Sequence, residues 1–292
     1  MKDTKKVSII GIIWKKTSDT LKNNPVIFIP FCISGVIKLF GLLTVFLSIF
    51  PPLSVVFAPI IKTLWGEAYL HYPFNFTLMP NLFNYVQIAV YIFMDGLLTG
   101  IAVWMICQVN EGKRANLLIS IKRVVPKYCT LTAFLFTMFL IMRLIFSVEN
   151  FMILKLLKMG FFVSFLEKDS LDFIRVYFNF LIVLIIQAGF AFVIPFAILE
   201  NRNFFKSISE SFSLAKRFIR TILILIVLPM SLSLPVSLLE TRLPVLMDKT
   251  FPEITFLMLA MGVILVVFID YIVTASLTAL FLLRKGLVFE KE

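Results

Sequence analysis

The chain has 292 residues, of which 60% are hydrophobic, 15% aromatic and only 15% charged, too little polar surface to cover a soluble globule of this length. The composition therefore indicates an integral membrane protein. A net charge of +11 would point to nucleic acid in a soluble protein, but here the basic residues fall between apolar runs, so anionic lipid headgroups are the expected partner and nucleic acid is not.

The N-terminal residues 1–6 are basic and 7–13 apolar, but Lys15 and Lys16 interrupt that run, so a cleaved signal peptide is not expected. Residues 7–22 instead form a first amphipathic surface helix, with Ile10, Ile13, Trp14 and Leu21 opposing Lys15, Lys16, Asp19 and Lys22. Asn23-Asn24-Pro25 ends it. Residues 26–50 form the first crossing, long enough for a hydrocarbon core of about 30 Å. Residues 53–82 carry Pro59, Trp65, Tyr69, Tyr72, Phe74 and Phe76, a composition suited to the outer interface; an interfacial helix and loop are expected, with a re-entrant segment as the alternative.

The second crossing runs over 83–107. A charged turn, Glu111-Gly112-Lys113-Arg114, leads to a second surface helix, in which Leu117, Leu118, Ile121, Val124 and Val125 oppose Asn116, Ser120, Lys122 and Arg123. The third crossing covers about 128–147, followed by a loop over 148–170 with room for another interfacial helix. The fourth, 171–199, is long and should tilt or project from the bilayer. After the turn Glu200-Asn201-Arg202-Asn203 comes the third surface helix, with Phe204, Ile208, Phe212, Ala215 and Ile219 on one face and Lys206, Glu210, Ser213, Lys216 and Arg220 between them. Pro229 and Pro235 predict a kinked or shortened fifth crossing over 222–239. A loop over 242–252 and a sixth crossing over 254–283 complete the chain.

Lysines and arginines number 19 in the segments on the side of the termini and 6 in those opposite, which places both termini and the surface helices in the cytoplasm, under a cell inner or plasma membrane. The predicted fold is all-α and polytopic, a single membrane domain of six crossings with three surface helices. It reads as three repeat-like units over 7–109, 113–200 and 203–285. Counted from the cytoplasmic ends of the even crossings, Asp95, Gln187 and Asp270 each lie about 13 residues in, roughly 20 Å along a helix. Lys38 reaches a similar depth on the first crossing.

The run Pro195…Glu200-Asn201…Ser207-Ile208…Ser211-Phe212-Ser213-Leu214-Ala215-Lys216 resembles the signature of a broad family of six-helix bacterial membrane proteins. That family includes the membrane domain that precedes the catalytic barrel of some glycerophosphodiester phosphodiesterases. Its members tend to have Glu-Gly at the turn and Ser-Trp in the helix, where this chain has Glu200-Asn201 and Ser211-Phe212. The resemblance is specific over roughly 190–220 and architectural elsewhere. It implies a stand-alone membrane domain without an attached hydrolase and, since most members lack an assigned activity, implies little about function.

A charge at the centre of a bilayer costs about 2.5–3.5 kcal/mol even on lenient scales, so Lys38, Asp95 and Asp270 should face the bundle interior. The bland reading is an ion pair or triad fixing helix register; the functional one is a polar cavity with Gln187 for a proton, an ion or a lipid headgroup. An intramembrane aspartyl protease is disfavoured, because neither aspartate sits in a glycine-flanked motif. Gly96…Gly100 and Ala275…Ala279 offer small-residue spacing for close helix packing. Arg143 and Arg175 should snorkel at the outer ends of their spans. Cys32, Cys107 and Cys129 read as packing residues, and the lone His71 cannot build a metal site, so neither metal nor cofactor is expected.

Three functions follow. The first, which the basic surface helices favour, is a non-enzymatic accessory or scaffold protein of the cell envelope. There Lys113, Arg114, Lys122, Arg123, Lys206, Lys216, Arg217 and Arg220 hold anionic lipid or another membrane protein. The alternative is a small transporter or permease subunit with its site at Lys38, Asp95, Gln187 and Asp270. The third, a lipid-acting enzyme, lacks a nucleophile and base pair in the sequence.

Overall fold

The computed structural model describes residues 9–158, 168–249 and 251–284, and among them every regular element is helical. Six helical runs are long and apolar enough to cross a membrane: Pro25–Leu47, Phe74–Asn110, Leu117–Met152, Arg175–Leu199, Phe204–Thr241 and Ile254–Arg284. The protein is thus an all-α, multi-pass membrane protein. In chain order its helices are α1 (Ile9–Asn23), α2 (Ile29–Leu47), α3 (Ser54–Leu64), α4 (Phe74–Val90), α5 (Gly96–Asn110), α6 (Leu117–Val124) and α7 (Tyr128–Lys158). They are followed by α8 (Lys168–Phe190), α9 (Val193–Leu199), α10 (Phe204–Met230), α11 (Leu234–Thr241), α12 (Leu243–Lys249) and α13 (Ile254–Arg284).

Several boundaries differ from expectation. The second crossing begins at Phe74, directly after Pro73, so residues 74–82 belong to a spanning helix and only α3 and a short 3-10 turn at Glu67–Leu70 form the loop before it. Helix α7 continues to Lys158, past the expected end at 147; the rest of the interfacial helix expected over 148–170 lies partly on 159–167, outside the described residues. The expected loop over 242–252 is occupied by α12. The kink expected in the fifth crossing is present: α10 ends at Met230, one residue after Pro229, a 3-10 turn spans Ser231–Ser233, and α11 follows.

The fourth crossing is interrupted, not simply long. Helix α8 stops at Phe190 and α9 starts at Val193. Pro195 explains the break, because it has no N–H for the carbonyl four residues back and its ring crowds that carbonyl. Ser211 on α10 restores part of what is lost: its hydroxyl donates to Gly189 O at 2.8 Å and accepts from Phe192 N at 3.1 Å. The following turn contains Asn201 at φ 55°, a left-handed conformation that asparagine tolerates better than most residues. Arg202 lies between Glu200 and Glu210, at 3.3 and 3.2 Å, and braces that turn.

The three amphipathic segments gather at one end of the bundle: α1 against α13, α6 against α5, and the first half of α10 against α8 and α9. Helix α10 carries both a surface helix and the fifth crossing, joined across a kink at Phe218 (φ −115°, ψ 21°). The inward faces of the three segments carry hydroxyls in addition to apolar residues expected there, such as Ile13, Val124 and Ala215. Beside the buried Ile13, Val124, Leu214 and Ala215, the side turned to the bundle carries small hydroxyl residues, Thr17 and Thr20 in α1, Ser120 in α6, and Ser207 and Ser211 in α10, all buried. Meanwhile Leu118 (71% exposed), Phe205 (82%), Phe212 and Ile219 point outward. A hydroxyl that bonds a backbone carbonyl can be buried at little cost, as Ser120 does to Asn116 O at 2.7 Å, and its small size lets the helices approach closely. The inward faces of all three segments therefore mix apolar and hydroxyl side chains, and α6 and α10 also leave large apolar residues outward beside their basic groups.

Helix α13 packs against α1, α2, α4, α5 and α10, which puts it at the centre of the bundle. Tyr271 donates to Thr17 O at 3.1 Å and anchors α1. Gly100 permits the close approach of α5 to α6 and α7: a Cβ there would lie 2.9 Å from Val124 and 3.1 Å from Leu131. Ala275 and Ala279 are both buried.

Candidate functional site

The mid-depth residues become a site because each sits on the inward face of its helix. Ser34 and Lys38 are one turn apart on α2. Gln87, Tyr91, Asp95 and Thr99 are spaced by four along α4 and α5, joined by a π-helical turn at Tyr91–Asp95. A straight α-helix would rotate residues so spaced progressively off one face; the wider π turn reduces that drift. On α13, Val263, Val266, Asp270, Val273, Thr274 and Leu277 form one stripe at helical spacing.

Together these elements surround a cavity of about 430 Å³, and all four residues singled out in the sequence, Lys38, Asp95, Gln187 and Asp270, line it. Its polar lining is completed by Gln87, Tyr91, Thr99, Ser233 and Thr274, and the remaining walls are apolar or aromatic. Three crossings leave regular α geometry beside it: at the π turn Tyr91–Asp95, at the break after Phe190, and at the 3-10 turn Ser231–Ser233. Irregular backbone at membrane depth is tolerated where it is buried in protein or lines a cavity.

The charges are unequally satisfied. Lys38 Nζ is 2.9 Å from one Asp95 carboxylate oxygen, with side chains only 8% and 14% exposed, while Ser34 Oγ donates to the other oxygen at 2.6 Å. Both oxygens of Asp95 are thereby engaged and its charge is matched. Asp270 lies within electrostatic reach of Lys38 and Asp95, yet among the described residues its carboxylate makes no ion pair or side-chain hydrogen bond. Tyr91 donates to Met138 Sδ at 3.1 Å, fastening the π turn to α7.

The basic residues do not converge. Lys113, Arg114, Lys122, Arg123, Lys206, Lys216, Arg217 and Arg220 are all exposed at the amphipathic end. Arg123 lies over the Trp104 ring at 5.2 Å and Arg217 over Phe218 at 5.5 Å. Glu111 is 2.6 Å from Lys113; that hydrogen bond holds the carboxyl below its usual range and the ammonium above its own. Arg143 is exposed, and Arg175 donates to Asn150. Among the described residues Cys32, Cys107 and Cys129 form no disulfide, Cys107 Sγ donating to Glu111 Oε1 at 3.5 Å, and no three His, Cys, Asp or Glu side chains cluster in a way that could hold a metal.

The sequence reading missed Ser34, Gln87, Tyr91, Thr99, Ser233 and Thr274. For Ser34, Tyr91, Thr99 and Thr274 a signal was present, since each lies four residues from an intramembrane charge on the same crossing. No family model, no curated protein and no solved structure matches the chain.

Proposed function

We propose that the protein is a non-enzymatic transporter or permease subunit that holds a small molecule at mid-membrane. The observation that carries this reading is the convergence of Lys38, Asp95, Gln187 and Asp270, from four different crossings, on one cavity. About 430 Å³ falls within the range of roughly 300–1,000 Å³ usual for small-molecule sites. An ion pair serving only to lock helices needs no such space beside it. The interrupted helices supply points about which crossings can rearrange, as in transporters built on broken spans. The exposed basic helices then rest on anionic headgroups of the inner leaflet, with both termini cytoplasmic, and orient the bundle.

A second reading keeps the scaffold role, favoured by the exposed Lys206, Lys216, Arg217 and Arg220 beside the outward-facing Phe205 and Phe212. The two separate on access. With Cys32, Cys107 and Cys129 replaced, Thr274→Cys in the cavity wall is treated with a membrane-impermeant maleimide from each side of sealed vesicles. A transport site is labelled from both sides; a scaffold with a closed interior is labelled from neither.

A further inference from the structure

We infer that the cavity selects a monovalent organic cation, an amine or quaternary centre on an apolar body, and that the carboxylate of Asp270 is its counter-ion. This rests on the mid-membrane site proposed above and names what that site takes.

Among the described residues the ionisable groups facing the cavity are Lys38 from α2, Tyr91 and Asp95 from the second crossing, and Asp270 from α13, with none from α7, α8, α9 or α10. Lys38 and Asp95 neutralise each other at 2.9 Å, with Ser34 completing the coordination of Asp95. Tyr91 is neutral and its hydroxyl is engaged with Met138. With Asp270 ionised, the site therefore carries one uncompensated negative charge, in surroundings where an unpaired charge is expensive. A ligand with a single positive charge supplies the missing partner; an anion meets a carboxylate, and a neutral molecule leaves it unmatched.

The walls define the rest of the ligand. Phe134, Phe190, Met138, Met230, Val263 and Leu277 present aromatic, thioether and branched aliphatic surface. Phenylalanine faces attract cations held close to them, and methionine adapts to varied shapes. A hydrated inorganic ion would gain little from such walls, whereas a bulky organic cation would bury its body against them. The amides of Gln87 and Gln187, which also line the cavity, can serve polar substituents.

The test uses tetraphenylphosphonium and tetraphenylborate, close in size and apolar surface but opposite in charge, with triphenylphosphine oxide as the neutral probe. Saturable binding to the full chain in lipid nanodiscs is measured by calorimetry, with empty nanodiscs subtracted. The inference expects the phosphonium to bind at least tenfold more tightly than either other probe. Asp270→Asn should abolish that preference, and Asp270→Glu should retain it. If all three probes bind alike, or the preference survives Asp270→Asn in a protein with an unchanged circular-dichroism spectrum, the cation assignment is overturned while the cavity stands. If no probe binds saturably to the parent protein, the small-molecule site itself falls.

Discussion

Asp95 and Asp270 are the same residue type at the same depth on adjacent helices, yet one has both oxygens occupied by Lys38 and Ser34 and the other borders open space. The contrast separates two uses of a charge inside a membrane. A satisfied pair fixes how α2 and the second crossing meet, whereas an unsatisfied carboxylate is held at a cost that only a ligand, a proton or water offsets. The layer of amphipathic helices shows a third arrangement, with basic groups spread outward and exposed.

Breaking the satisfied side should have the largest effect. Asp95→Ala leaves Lys38 buried without its counter-ion, a loss of about 3–5 kcal/mol. Thermal unfolding in detergent should register it, and a second change, Lys38→Met, should restore most of the stability. If Lys38→Met in the Asp95→Ala background restores nothing, the pair is not what joins these helices. Next comes Gly100→Val, which drives a branched side chain into Val124 and Leu131 and should cost about 1–3 kcal/mol. Ser211→Ala removes the bonds to Gly189 O and Phe192 N across the break in the fourth crossing; a loss of about 1–3 kcal/mol is expected, read by faster hydrogen exchange at the Phe192 amide.

At the amphipathic end the effects should be small. Lys113→Ala removes an exposed ion pair with Glu111 and should leave the unfolding temperature unchanged, because such pairs are screened by water. The Glu111 carboxyl is held low by this partner, so whatever the pair contributes is present at neutral pH and disappears on acidification through that lowered range. A clear drop in stability for Lys113→Ala at neutral pH would show that the surface layer carries more of the fold than its exposure implies.

The grouping of the polar residues was legible in the sequence because an α-helix rises uniformly, so counting inward from charged turns put Asp95, Gln187, Asp270 and Lys38 at one expected level. All four line the cavity. That hydroxyl residues share the inward face of each surface helix was not legible: serine and threonine count as polar in a periodicity, yet Thr17, Ser120, Ser207 and Ser211 are buried beside Ile13, Val124 and Ala215. The break after Phe190 was masked because Pro195 lies in a run that is apolar throughout, and hydrophobicity reports length without continuity. The cavity is a property of side-chain bulk contributed by several crossings at once, which no single stretch of sequence contains.

The most direct measurement compares thermal unfolding of Asp95→Asn and Asp270→Asn, two isosteric changes one helix apart, in the same detergent. A matched pair beside an unmatched carboxylate predicts opposite outcomes: Asp95→Asn unfolds well below the parent protein, and Asp270→Asn unfolds at the parent temperature or above it. Equal losses in both variants would mean that Asp270 is paired as firmly as Asp95, and would contradict the division of roles on which the site is built.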